Sequence, residues 1–149
     1  DEKIDMGKKL GLTHGINSKS KDLKKEIKNI LGAEGPDVIF ETTGNARMME
    51  QAYELSPKNG RTVFVGVPND KISIYSLPLA FDKKISASHG GNSIPDKDIP
   101  RYIRLIKNKK INFDNIITHE FNLSEINEAL NLFRTGKAGR ILLKISKEI

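Results

Sequence analysis

Apolar positions along the chain follow two alternating periods. In "SKDLKKEIKNILG", Leu23, Ile27, Ile30 and Leu31 fall on one helical face, with Ser20 the expected N-cap and Gly32 the stop. "DVIFET" then runs apolar without alternation, the pattern of a strand covered on both faces. "NARMMEQAYELSPKNG" returns to the helical period, with Asn45 as N-cap, Met48, Met49, Ala52 and Leu55 inward, and Gly60 after its end. "RTVFVGV" reads as a second buried strand and "KKISASH" as a third, weaker one. Strands and helices in alternation, with short connections, predict an α/β fold with parallel strands and crossover helices. "PNDKISIYSLPLAFDK", between the second and third strands, is looser, and Pro78 restricts any strand there to an edge.

The two ends of the chain differ from this middle. "DEKIDMGKKLGL" reads as a helix already under way, with Ile4, Gly7 and Leu10 on its packing side and a short strand at "HGIN". After "HGGNSIPDKD" the pattern changes, so a soft boundary is expected near Gly90–Gly91. Residues 99–108 read as a helix with Ile99, Tyr102, Ile103 and Ile106 on one face and Pro100 in its first turn. "INFDNIITHEFNL" is extended and irregular. Ser124 is the expected cap of a helix carrying Ile126, Ala129, Leu130 and Phe133, Gly136 ends it, and "GRILLKI" closes as a strand.

No G-x-G-x-x-G and no G-x-x-x-x-G-K-[ST] occurs. If this is a dinucleotide fold, its first strand, phosphate loop and ribose-binding acid are expected upstream of residue 1. The chain has 149 residues, enough for a real core, and a formal net charge of +6. That charge does not point to nucleic acid, because the lysines are scattered among acids and no aromatics interleave them to stack bases. No apolar run approaches the ~20 residues of a membrane span, and no signal-peptide layout is visible. A cytoplasmic protein with no membrane partner is the expectation. The sequence contains no cysteine, which removes disulfides and thiolate metal sites. Asn122-Leu123-Ser124 fits a glycosylation sequon, but Ser124 is better explained as a helix cap.

The ordered set "VIFETTGN", "TVFVGVP", "SASHGG", "DIPRYIRLI" and "IITHEFNLSEINEALNLFRTGKAGRILLKI" resembles the C-terminal portion of a zinc-dependent, medium-chain alcohol dehydrogenase over essentially the whole chain. The resemblance implies a partial Rossmann-type parallel sheet lacking its first strands, followed by an α/β tail of the catalytic domain. Residues 1–90 would be the second part of the nicotinamide-dinucleotide-binding domain, and 91–149 the tail returning to the catalytic domain. The parent would move a hydride between an alcohol or polyol and NAD, with NADP the alternative. Its zinc ligands would lie in the missing N-terminal half, so this segment would bind no metal and hold no catalytic residue. It would be inactive alone. Two other readings stay open: a non-catalytic nucleotide-binding or assembly fragment, and a zinc-free quinone or enoyl reductase of the same superfamily.

The resemblance also implies site residues. Thr43 and Gly44 would meet the nicotinamide-side ribose, although the same residues also suit an ordinary strand-to-helix turn. Val65 and Val67 would offer backbone contacts or packing at the nicotinamide, with Gly66 giving clearance. Ser88 and Gly90 would offer backbone groups to the carboxamide, while Val67 and His89 would line the substrate pocket. Arg140 would reach the pyrophosphate, for which a guanidinium is the right group. Lys3 would contact the adenosine ribose. Residues 72–81 would lie near an edge through which two copies pair.

Overall fold

The computed structural model describes residues 2–111 and 116–145. They form two compact units, one of residues 18–95 and one combining 1–17 with 96–149. In the second unit the N-terminal helix groups with the C-terminal elements.

In the 18–95 unit, strands β1 (Val38–Glu41), β2 (Arg61–Phe64) and β3 (Lys84–Ala87) form a parallel sheet in that order. Helix α3 (Ala46–Leu55) joins β1 to β2, and helix α2 (Leu23–Leu31) precedes β1. Met49, Ala52 and Tyr53 of α3 are buried with Thr62 and Phe64 of β2. Asn45 caps α3 as its sequence suggests, its side chain accepting from the Met48 N–H at 3.2 Å. The helix stops at Leu55, five residues before Gly60, because Pro57 follows its C-cap Ser56 and cannot continue the ladder.

Several expectations are corrected. The cap of α2 is Asp22, not Ser20: its carboxylate accepts from the N–H groups of Lys24 and Lys25. β1 is not covered on both faces. Val38 is 45% exposed and Phe40 66%, because these two alternate onto a face of β1 that packing leaves open, while Ile39 and Glu41 turn to the covered face; β1 is also an edge strand in the described sheet. No strand forms at 14–17 or between β2 and β3. Instead a 3-10 helix spans Leu77–Phe81, with Pro78 in its first turn, where a missing N–H does no harm.

In the other unit, helix α1 spans Glu2–Lys9. Gly7 faces Leu12, and Gly15 lies so close to Ile4 that a β-carbon there would fall 2.4 Å from it. Leu10, placed on the packing side by periodicity, lies past the helix end and is exposed. Helix α4 (Pro95–Lys107) begins four residues earlier than 99, because Pro95 opens it and Asp96 and Asp98 favour its first turn. Pro100 therefore sits inside the helix. The expected apolar face of α4 is exposed, with Ile99, Tyr102, Ile103 and Ile106 all above 40%.

Strands β4 (Ile117–Asn122) and β5 (Arg140–Lys144) pair in parallel, joined by helix α5 (Ile126–Arg134). The turn into α5 is held by Glu125, whose carboxylate accepts from the Asn122 backbone N–H and amide at 2.7 and 2.9 Å. Asn122 and Glu125, rather than Ser124, form the cap. Residues 112–115, part of the expected extended segment, lie outside the described residues.

Candidate functional site

In a parallel sheet covered by helices, ligands bind outside the carboxyl ends of the strands. β1, β2 and β3 end in register here, with Glu41 opposite Phe64 and Phe64 opposite Ala87. The residues just beyond these ends are Thr42–Asn45, Val65–Val67 and Ser88–Gly90.

The group that organises them is one the sequence reading missed. Glu41 is the last residue of β1 and only 6% exposed. Its carboxylate accepts from the Thr43 N–H at 2.7 Å, the Thr43 hydroxyl at 2.5 Å and the Gly44 N–H at 3.1 Å. Its backbone carbonyl accepts from the N–H groups of Val65 at 2.8 Å and Gly66 at 3.1 Å. One residue thus ties its own turn to the end of the neighbouring strand. Burial pushes the Glu41 carboxyl up, but the Thr43 hydroxyl and the Thr43 and Gly44 amides outweigh it and hold its pKa below the ordinary value. The available signal was an acid inside an apolar run, since such a group must find donors, and the amides of "TTG" are the nearest.

The two glycines have a structural reason that the sequence did not give. A β-carbon on Gly66 would lie 2.1 Å from the Gly44 nitrogen, and one on Gly44 would lie 2.2 Å from the Val67 carbonyl oxygen. Gly44 also has φ +71°, a region side chains disfavour. The expected clearance at Gly66 is therefore taken up by the backbone of the adjacent turn.

Hydrogen-bond commitments limit what each residue can still offer. The Thr43 hydroxyl donates to Glu41 and accepts from the Asn45 N–H at 3.1 Å, so toward a sugar it can act only as an acceptor. The N–H groups of Val65 and Gly66 are spent on Glu41, and that of Ser88 on the Phe64 carbonyl at 2.8 Å. Any further hydrogen bond from these three backbone units must come through a carbonyl. The N–H groups of Val67 and Gly90 have no partner among the described residues. Gly90 has φ +60°, and the Ser88 hydroxyl accepts from the Gly91 N–H at 3.1 Å, which fixes the turn after β3. Val67 is 83% exposed, and His89 is exposed at the start of that turn.

The structure thus brings together Thr43, Gly44, Val65, Gly66 and Val67, with Ser88 bonded to the end of β2. Lys3 and Arg140 belong to the other unit. Lys3 is exposed in the first turn of α1, and Arg140 is exposed at the start of β5, its N–H donating to the Ile116 carbonyl at 2.8 Å.

The zinc that the resemblance implies for the parent is not matched by donors here. The sequence has no cysteine, and no group of three or more His, Asp or Glu among the described residues could hold a metal ion. No described helix is long and apolar enough to cross a membrane.

Comparison with known proteins fits this geometry. Residues 1–108 match the profile described as zinc-binding dehydrogenase. Alcohol dehydrogenase-like 5 of Arabidopsis thaliana is 32% identical over 152 aligned residues, which cover 98% of this chain and 39% of that protein. Alcohol dehydrogenase-like 1 of the same plant is 33% identical with the same coverage. Among solved structures, the benzyl alcohol dehydrogenase of Acinetobacter calcoaceticus superposes with a TM-score of 0.85 at 30% identity, over 95% of this chain and 40% of that one. The chain spans about two fifths of the length of these relatives. It is an α/β chain of the Rossmann-like kind, and it belongs to the zinc-binding dehydrogenase family.

Proposed function

We propose that this chain forms the nicotinamide-side shelf of an oxidoreductase that transfers a hydride between an alcohol or polyol and NAD. The observation that carries the reading is the alignment of three parallel strand ends beneath a turn braced by Glu41. When bound, the nicotinamide ring accepts or returns the hydride. The chain's own residues bind and orient it. A carboxamide carries both donors and an acceptor, and this edge can meet them with the carbonyls of Val65 and Ser88 and the free N–H of Gly90. Val67 packs beside the ring, and His89 faces the substrate. Thr43 accepts from a ribose hydroxyl. Arg140 takes the pyrophosphate and Lys3 the adenosine ribose. We place residues 1–90 in the cofactor domain and 91–149 in the catalytic domain of a cytoplasmic parent.

The 149-residue chain should bind NADH weakly. In an amide NMR titration, shifts should concentrate at 65–67 and 88–90. Saturating NADH that leaves these amides unmoved overturns the reading. The chain alone should show no alcohol-dependent NAD reduction, because its residues supply neither a metal centre nor a glycine-rich phosphate loop. Measurable turnover would refute that part.

A second reading, self-association, is favoured by the 72–81 segment. Tyr75, Leu77 and Phe81 there are 69%, 52% and 54% exposed. The segment is nonetheless anchored: Ser73 N–H donates to Glu50 at 2.7 Å, and the Tyr53 hydroxyl to the Tyr75 carbonyl at 2.8 Å. An ordered apolar ridge of this kind suits pairing of two copies. Light scattering should report a dimer that Tyr75→Glu dissociates, and a clean wild-type monomer rules it out.

A further inference from the structure

The connection from α3 to β2 carries the one Asn–Gly pair in the sequence, Asn59–Gly60. Such a pair is chemically labile. The backbone nitrogen of the residue after an asparagine can attack the side-chain amide carbon, and a glycine, with no β-carbon, hinders that attack least. Packing requires the glycine here. A β-carbon on Gly60 would lie 2.6 Å from Pro57 Cδ and from Ser56 Oγ, and the Pro57 ring cannot swing aside. Asn59 itself is exposed, beside Lys58 at the tip of the turn.

The same turn restrains the reaction. The Gly60 N–H donates to the Pro57 carbonyl at 3.0 Å, and the Gly60 carbonyl accepts from the Lys84 N–H at 3.0 Å. The next residue, Arg61, donates its N–H to the Asp37 carbonyl at 2.9 Å. The attacking nitrogen must lose its proton and turn toward the Asn59 side chain, and both need the bond to Pro57 to open. Exposed turns open locally at lower cost than buried sheet. The surroundings decide what a product would do. Asn59 lines a pocket of about 230 Å³ with Glu34, Asp37 and Lys58, so two carboxylates there already face one ammonium. A carboxylate at 59 adds to that excess of negative charge. An isoaspartate also inserts an extra main-chain carbon just before Gly60 and Arg61, whose bonds begin the sheet.

We propose that Asn59 is a site of self-deamidation gated by the 57–60 turn, and that its conversion weakens the start of β2. When the turn opens, the Gly60 nitrogen bonds to the Asn59 side-chain carbonyl carbon. The bond from that carbon to the side-chain nitrogen breaks, and ammonia leaves with the proton given up by Gly60. Water then opens the cyclic imide at either carbonyl, giving aspartate or isoaspartate. Water is the only co-reactant, and nothing is oxidised or reduced.

The test is prolonged incubation of the full chain at mildly alkaline pH, followed by proteolysis and peptide mass spectrometry. The peptide holding Asn59 should gain about 1 Da and separate into aspartate and isoaspartate forms. Asn59→Gln, whose longer side chain must close a larger ring, should abolish the gain. Pro57→Gly loosens the turn without touching the reacting pair, and it should speed conversion about threefold. Should Pro57→Gly fail to fold, hydrogen exchange replaces it: in mild denaturant, wild-type conversion should quicken in step with exchange of the Gly60 amide. The converted chain, separated by its added charge, should unfold at a lower denaturant concentration than the unconverted one. An Asn59 peptide that keeps its mass overturns the proposal. So does a conversion rate that Pro57→Gly leaves unchanged, or one that stays flat while Gly60 exchange quickens. Equal stability of the converted and unconverted chains overturns it as well.

Discussion

Helices α3 and α4 carry equally regular apolar stripes, yet only one stripe is buried. In the 18–95 unit, α3 lies against the parallel sheet and sinks Met49, Ala52 and Tyr53. In the other unit, α4 leaves Ile99, Tyr102, Ile103 and Ile106 exposed, and among the described residues Ala129 and Ala138 are the buried hydrophobic ones there. Periodicity tells which face of a helix seeks cover. Whether cover exists depends on a partner surface that the helix itself does not encode. Among the described residues, the 18–95 unit therefore holds the larger share of fully buried apolar side chains.

Substitutions can break or sharpen this contrast. The largest effect is expected from Gly66→Ala, whose new methyl would strike the Gly44 backbone, and backbone cannot swing aside. A loss of about 4 kcal/mol in denaturant unfolding is expected, with the 18–95 unit melting first. Met49→Ala should cost about 3 kcal/mol through the cavity it leaves. Phe133→Ser, at a 67% exposed position of α5, should change stability by about 0.5 kcal/mol or less. Comparable losses for Met49 and Phe133 would erase the distinction between the units.

Glu41→Gln should cost about 2 kcal/mol near neutral pH, because charged acceptors make the stronger hydrogen bonds. The sign of its pH dependence follows from the lowered folded pKa. Unfolded, Glu41 titrates near 4.5, and folded it titrates lower. Its contribution is then fully present above 4.5 and is lost as pH falls through the folded value. The gap between wild type and Glu41→Gln should close on acidification, and a gap that widens contradicts the assignment. At the α2 cap, Asp22→Ala should cost about 1 kcal/mol.

The sequence made the order of strands and helices legible because each element in the 18–95 unit carries its own period. Caps were legible where one residue offered the only choice, as at Asn45. They were misread where two candidates stood close together. Asp22 lies two residues after Ser20, and Asn122 two before Ser124, and only backbone geometry decides between them. β1 was misread because an apolar run records what a strand is made to meet, and Val38 and Phe40 meet solvent in the described sheet. At the candidate edge, the glycines were found and their cause was not. The close approach of residue 66 to residue 44 is a tertiary fact with no local trace. Glu41 interrupts the apolar run of β1, and the amides it needs, those of Thr43 and Gly44, come to it only through the turn that follows.

That interruption has an electrostatic consequence. The start of a helix collects unpaired N–H groups and a partial positive charge, which makes it a natural seat for phosphate. At α3 part of that seat is taken from within the chain. Glu41 brings a full negative charge to the amides of Thr43 and Gly44, and Asn45 takes that of Met48. A second anion approaching the amides of Thr43 and Gly44 would meet a carboxylate already there and its repulsion. In the first turn of α3 itself, the N–H groups of Ala46 and Arg47 have no such partner among the described residues.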